Sequence, residues 1–292
     1  MTGGLSPVVR GHRLAAALRR LRAVSGRTVE DVAVHLECSA AKISRIENNL
    51  VTVRIQDARD LLDLYEVHGE ERERLLGLVR DARKRAWWFQ YADLMADNGF
   101  DKFLAFEEEA VNIWMLEAHL VPGVFQTESY AAALASSRRD APPQTVERLV
   151  RMRMERQKVL TRADAPTMHV LLDEAALRRR VGPPAVMAGQ YRRLIAEADA
   201  PNISLRVLPL DAEPHQAPGY SFTIFGFADP ADPKIVFEEL LTGTVFNESV
   251  EIVGRFTAAF EHALSCAWDD AASLRFLSEL AQQAEQPAPS RP

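Results

Sequence analysis

Six neighbouring residues carry the most readable chemistry in this chain: Ser39, Ala40, Ala41, Lys42, Ser44 and Arg45. On the outer face of one short helix, hydroxyl, ammonium and guanidinium groups can hydrogen-bond to base edges in a DNA major groove, and the alanines permit close approach. Lys42 or Arg45, bidentate to a guanine, would supply roughly 1–3 kcal/mol of discrimination. Thr28 and Arg54 flank the segment as further candidate contacts. Arg10, Arg13, Arg54 and Arg59 are candidate neutralisers of backbone phosphate.

Such chemistry needs elements that aim it. Thr28 can cap a first helix, with Asp31 at the third helical position in a near capping box. Val29, Val32, Ala33 and Leu36 follow at helical spacing, and Ala33 is small enough for two helices to cross closely. Ser39 caps a second helix whose Ile43 and Ile46 face inward. Leu14, Leu18, Leu21 and Val24 predict a leading helix, and Ala58, Leu61, Leu62, Leu64 and Tyr65 a closing one. A charged helix from about Glu70 to Arg85 follows. The pattern is a helix-turn-helix within an all-α five-helix bundle, a fold that presents its second motif helix to the major groove.

The stretch from about Arg10 to Val67 resembles the Xre, or lambda-repressor-like, family of helix-turn-helix proteins. Thr28, Ala33, Ser39, Ile43, Ser44, Ile46 and Glu47 match its pattern. Val29 stands where the family usually has Gln, which removes a contact common there. Asn48–Asn49 replaces the usual Gly after the Glu, and Asn tolerates a left-handed cap.

Charge is distributed unevenly. Residues 1–85 hold 16 Lys and Arg against 12 Asp and Glu, and the remainder hold 19 against 29, for a net charge of −6. A basic head on an acidic body suits a chain of which one end approaches phosphate. The 292 residues, 47% hydrophobic, allow two ordinary cores. No 18-residue apolar run and no signal pattern is found, so a soluble, cytoplasmic, nucleoid-associated protein with no membrane role is expected. Cys38 and Cys266 are too few for a disulfide framework, and no spacing fits a metal site. No cofactor is expected.

The expected organisation is a disordered 1–9, a DNA-binding domain at 10–68, and a connecting helix with aromatic linker at 69–100. A C-terminal α+β domain at 101–283 and a disordered tail at 284–292 complete an α+β multidomain chain. The knot Trp87–Trp88–Phe89–Gln90–Tyr91 either seats the connector on the second domain or binds a flat ligand. In the second domain, Phe103, Phe106, Ala110, Ile113 and Trp114 predict one helix ended by Pro122–Gly123. Thr127 caps a short helix, and a long one runs from Gln144 to Arg162. Strands are predicted at Met168–Leu172, Ile203–Leu208, Tyr220–Phe227 and Lys234–Leu240. Helices follow Asp173, cover Ala185–Ala198, start at Asn247 and span about Asp270–Gln282.

This half resembles the C-terminal domain of actinomycete Xre-type, antitoxin-like regulators. The resemblance rests on Val121–Pro122–Gly123–Val124–Phe125–Gln126–Thr127 with Tyr130, on Arg153–Met154–Glu155–Arg156–Gln157, and on Leu172–Asp173–Glu174–Ala175–Ala176–Leu177–Arg178. Val207–Leu208–Pro209 and Phe237–Glu238 extend it. It implies a small partner protein encoded nearby.

Candidate effector or partner residues are Arg153, Arg156, His215, Tyr220 and Glu238. The Arg-rich helix from Arg148 to Arg162 pairs with the acidic run Glu107–Glu109, forms an anion groove for a phosphorylated effector or acidic partner, or makes a second DNA contact. His215 lies in the long loop Pro209–Gly219, a length that suits a lid or partner surface. Ser39–Ala40–Ala41–Lys42 fits Ser-x-x-Lys, but its Ser is needed as a cap and the companion motifs are missing, so no catalysis is expected. The reading is an autoregulatory repressor, homodimeric on a palindrome of double-stranded DNA with half-sites about 34–36 Å apart. Its C-terminal domain would dimerise and receive a small-molecule or protein signal. The alternative is an antitoxin-like protein that neutralises a small partner.

Overall fold

The computed structural model describes residues 7–80, 86–95, 99–137, 141–229 and 232–286. The chain separates into two compact units, residues 1–89 and 90–292.

Five helices build the first unit: α1 (Pro7–Val24), α2 (Val29–His35), α3 (Ala40–Glu47), α4 (Ile55–Leu64) and α5 (Gly69–Arg80). Both halves of the capping box form at α2, with Thr28 as the cap and Asp31 reaching back to it. Ser39 Oγ accepts from the Lys42 amide and starts α3. Left-handed residues close the helices, among them Asn49 at φ 52° after α3, as its side chain permits. Leu14, Leu18, Val32, Ile43, Ile46, Ala58, Leu61, Leu62 and Leu75 share one buried core. Each such leucine or isoleucine contributes about 1.5–3 kcal/mol by leaving water.

Two expectations change here. Helix α1 begins at Pro7, and Val9 and Arg10 are buried, so disorder does not extend to residue 9. Residues 1–6 lie outside the described residues. Helix α5 is not a connector, because Leu75 and Leu76 fill the same core as α1 and α4. Its many charges mask those two apolar positions in the sequence.

The second unit contains α6 (Phe100–Glu109), β1 (Asn112–Glu117), α7 (Glu128–Ser136), α8 (Pro143–Arg156), β2 (Thr167–Asp173), α9 (Glu174–Arg178) and α10 (Pro184–Ala198). These are followed by β3 (Ile203–Leu208), β4 (Phe222–Gly226), β5 (Ile235–Leu240), β6 (Gly243–Asn247), α11 (Val250–Ser265) and α12 (Asp270–Glu285). The six strands form one mixed sheet in the order β3-β2-β1-β4-β5-β6. Strands β1, β2 and β3 run parallel, and β4, β5 and β6 add antiparallel. Phe103 and Phe106 of α6 pack edge-on or tilted against Phe225, Phe237 and Phe246 on one sheet face. On the other face Phe256 and Phe260 of α11 meet Leu116, Phe222, Ile224 and Val236.

Several boundaries differ from the sequence reading. The helix read through Ile113 and Trp114 stops at Glu109, and both residues lie in β1 at the centre of the sheet. The inner residues of β1, Ile113–Trp114–Met115–Leu116, are apolar on both sheet faces, so this run continues the helical pattern ahead of it. Strand β6 was not anticipated. Tyr220 lies ahead of β4 and is exposed. Ser249, not Asn247, holds the N-cap position of α11, without a side-chain capping bond, and Asn247 ends β6. Helix α8 gives way to a 3-10 turn at Gln157–Leu160. Helix α12 reaches Glu285, and residues 287–292 lie outside the described residues.

Candidate nucleic-acid interface

The outer face of α3 is built from two anchors. At its start, Ser39 holds the first turn through the Lys42 amide at 3.2 Å. At its end, buried Glu47 accepts from Arg22 Nε at 2.7 Å and Nη2 at 2.9 Å. The Glu47 carboxylate raises the Arg22 pKa by accepting this fork. Ile43 and Ile46 face the core, so Ala41, Ser44 and Arg45 are left exposed and Ala40 and Lys42 half-buried.

These residues do not have equal freedom. Lys42 Nζ meets Asp57 Oδ1 of α4 at 2.7 Å. Asn48 Nδ2 donates to the Ser44 carbonyl at 2.8 Å and approaches its hydroxyl at 3.4 Å. Arg45 is exposed, as is Arg54, which precedes α4 without capping it through its side chain. Neither arginine forms an ion pair among the described residues. Lys42, Arg45, Ile46, Val51, Thr52, Arg54 and Asp57 line a cleft of about 310 Å³. Its three cations and one carboxylate leave it net positive, which suits a phosphate or the acceptor edge of a guanine.

Two candidates change role. The Thr28 hydroxyl gives its hydrogen to Asp31 Oδ2 at 2.7 Å while accepting from the Asp31 amide. The Thr28 amide, donating to Asp31 Oδ2 at 2.8 Å, and then the hydroxyl hold the Asp31 carboxyl below its usual range, and they make Thr28 a fold residue first. Arg10 is 4% exposed and so withdrawn from any phosphate. The Arg22–Glu47 fork was not recognised from sequence. Its signal was present: a Glu closing an amphipathic helix on the side that carries Ile43 and Ile46.

In the second unit the candidate effector residues lie on separate elements. Arg156 is buried, with two 2.6 Å bonds to Glu107 and its guanidinium 4.6 Å from the Phe103 ring centre. Arg153 donates to Gln126 Oε1 at 2.6 Å. Arg148 forks onto Asp93, and Arg151 pairs with Glu147. The basic helix therefore pairs with neighbouring acids and the Val121–Thr127 turn. Of the aromatic knot, Tyr91 donates to Glu155 at 3.1 Å, which ties that part of it to α8.

His215 turns inward on its own loop, accepting from the Ala217 amide at 3.2 Å, and burial lowers its pKa. Glu238 stands on β5 opposite Val245, its pKa raised by burial. Sequence reasoning also passed over Glu117, at the end of β1. The residue retains some solvent contact, yet its carboxyl is enclosed, and burial and nearby Glu239 push it up to about 8 against the opposing Ser221 and Arg156.

Two family models match the chain. One described as a helix-turn-helix domain covers residues 13–75, and one described as a domain of unknown function (DUF5753) covers residues 100–279. No curated protein and no solved structure matches the chain.

Proposed function

The chain belongs to the DUF5753 family and carries a helix-turn-helix domain, and from that premise we propose that it is a sequence-specific transcriptional regulator acting in the cytoplasm. The helix-turn-helix domain supports DNA binding. The finer reading places α3 in the major groove, with Arg45, Ser44, Ala41 and Ala40 toward base edges and Arg54 toward phosphate. The observation that carries it is the exposed pair Arg45 and Arg54, with no ion pair to an acid among the described residues, on the walls of one cleft at the end of α3.

The reading includes a symmetric dimer, because one recognition helix buries too little surface to select a site in a genome. It includes autoregulatory repression in the Xre manner and signal reception by the second unit, and it assigns no catalysis. No described helix is long and apolar enough to cross a membrane. Selection from a random-sequence duplex pool with the full-length chain tests the reading. Enrichment of a palindromic consensus, bound with strong salt dependence and lost in a Lys42→Ala/Arg45→Ala variant, supports it. A pool that stays random overturns it.

A second reading, antitoxin-like capture of a small partner protein, draws on an exposed apolar tip. Leu240 and Leu241 are 52% and 105% exposed at the β5–β6 turn, and Val245 follows on the edge strand. Co-purification with the product of the adjacent gene, lost when both leucines become serine, would favour it.

A further inference from the structure

We infer that Asp57 is a specificity-determining residue of the DNA interface that acts by positioning Lys42; the inference rests on the DNA-reading role proposed above. The ammonium of Lys42 and the carboxylate of Asp57 meet at 2.7 Å while their side chains keep 42% and 20% of their surface open. So exposed a pair contributes little to stability. Its place is more telling, since both side chains line the cleft shared with Arg45, Thr52 and Arg54.

Asp57 occupies the first turn of α4. Free backbone N–H groups and the helix dipole make such a turn attractive to phosphate, and a carboxylate there opposes that attraction. Lysine is a point charge on a flexible stem, able to reach whichever phosphate is near. Contacts of that kind strengthen binding to every sequence alike. Tethered to Asp57, Lys42 holds one position and directs its remaining donors along one line. Specificity is a difference between affinities, so restraining a sequence-blind contact widens it. Arg45 and Arg54 remain to supply the attraction. The same carboxylate leaves an acceptor at the interface, the partner a cytosine amino group requires.

The test uses the full-length chain, a duplex enriched from the random pool and a scrambled duplex of the same composition. Binding to both is measured by anisotropy across a salt series for wild type, Asp57→Asn, Asp57→Glu, Lys42→Ala and Lys42→Ala/Asp57→Asn. Asp57→Asn is expected to tighten binding to the scrambled duplex about five- to tenfold and to steepen its log–log salt slope by about 0.9, one added phosphate. The enriched-to-scrambled ratio falls by a similar factor. Asp57→Glu retains the wild-type ratio, and in the Lys42→Ala background Asp57→Asn has a much smaller effect on both quantities, only that of the lost carboxylate at the α4 N-terminus. Thermal unfolding of each variant establishes that it is folded. If Asp57→Asn leaves ratio and slope unchanged, or acts equally without Lys42, the positioning role is overturned while the DNA-reading role stands. A wild type that does not prefer the enriched duplex overturns both.

Discussion

Arg22 and Glu47, 25 positions apart, close as a two-bond fork between the last full turn of α1 and the last residue of α3. The third arm of the guanidinium reaches the Arg27 carbonyl at 3.1 Å. One charge pair thus fixes the end of the helix proposed to read DNA and the chain entering α2. Glu47 is buried and Arg22 half-buried, so breaking the pair removes charge-assisted bonds and leaves Arg22 partly compensated by water. Glu47→Gln is expected to cost the first unit about 1–3 kcal/mol, read as a lower urea midpoint. Arg22→Met with Glu47→Leu should recover most of that loss. If Glu47→Gln leaves the midpoint where it was, the fork does not hold the helix.

Arg45 and Arg54 are expected to separate in their effects. Arg45→Ala should weaken binding to the enriched duplex by about 1–3 kcal/mol and relax preference at one base pair. Arg54→Ala should weaken all duplexes alike and reduce the salt slope by about 0.9. Anisotropy titrations on enriched and scrambled duplexes at several salt concentrations distinguish the two. Exchanged behaviour would reverse the assignment.

The buried Arg156–Glu107 fork predicts that charge alone is insufficient in the second unit. Lysine cannot supply two parallel bonds or lie flat against Phe103. Arg156→Lys is expected to destabilise by about 2 kcal/mol. Gly123→Ala should act through the same residue, because an added Cβ would stand 2.9 Å from Arg156 Nη1. The two substitutions share one partner, so their combined loss should fall short of the sum. Full additivity in denaturant unfolding would count against the shared mechanism.

Glu117 makes stability depend on pH in a direction opposite to most carboxylates. Its folded pKa, about 8, lies above the ordinary 4.5, so the folded state holds a proton that the unfolded chain releases. The contribution is intact below about 4.5, is lost as pH rises toward 8, and is level beyond that. Glu117→Gln should remove this decline, which a pH series of denaturation midpoints for the two proteins isolates. Parallel curves from pH 5 to 8 would show that the carboxyl is not held protonated.

Local signals made the first unit legible. Thr28, Asp31 and Ser39 each act within three residues of themselves, and the Ile43–Ile46 spacing is set by one helical turn. The bundle and the exposed face of α3 follow from those positions. Strand β1 was hidden for an equally physical reason. Ile113, Met115 and Leu116 are buried within the sheet, so no solvent-facing alternation marks the end of α6. The candidate effector set was less legible: Arg153 and Arg156 stand out by charge, and charge does not reveal which partner a side chain will meet, Gln126 for the one and Glu107 for the other.

The sequence alone determined the caps, the helical faces, the basic head and the presence of cations on the second motif helix. Those properties depend on neighbours three or four positions away, within the reach of pattern. Tertiary structure decided which cations are available. Lys42 is tethered because α4 brings Asp57 within 2.7 Å, and Arg156 is buried because α6 brings Glu107 to α8, 49 positions away. Arg45 and Arg54 are available because no acid among the described residues reaches them. Pairing of charges depends on distance in space, and only the folded chain sets that distance.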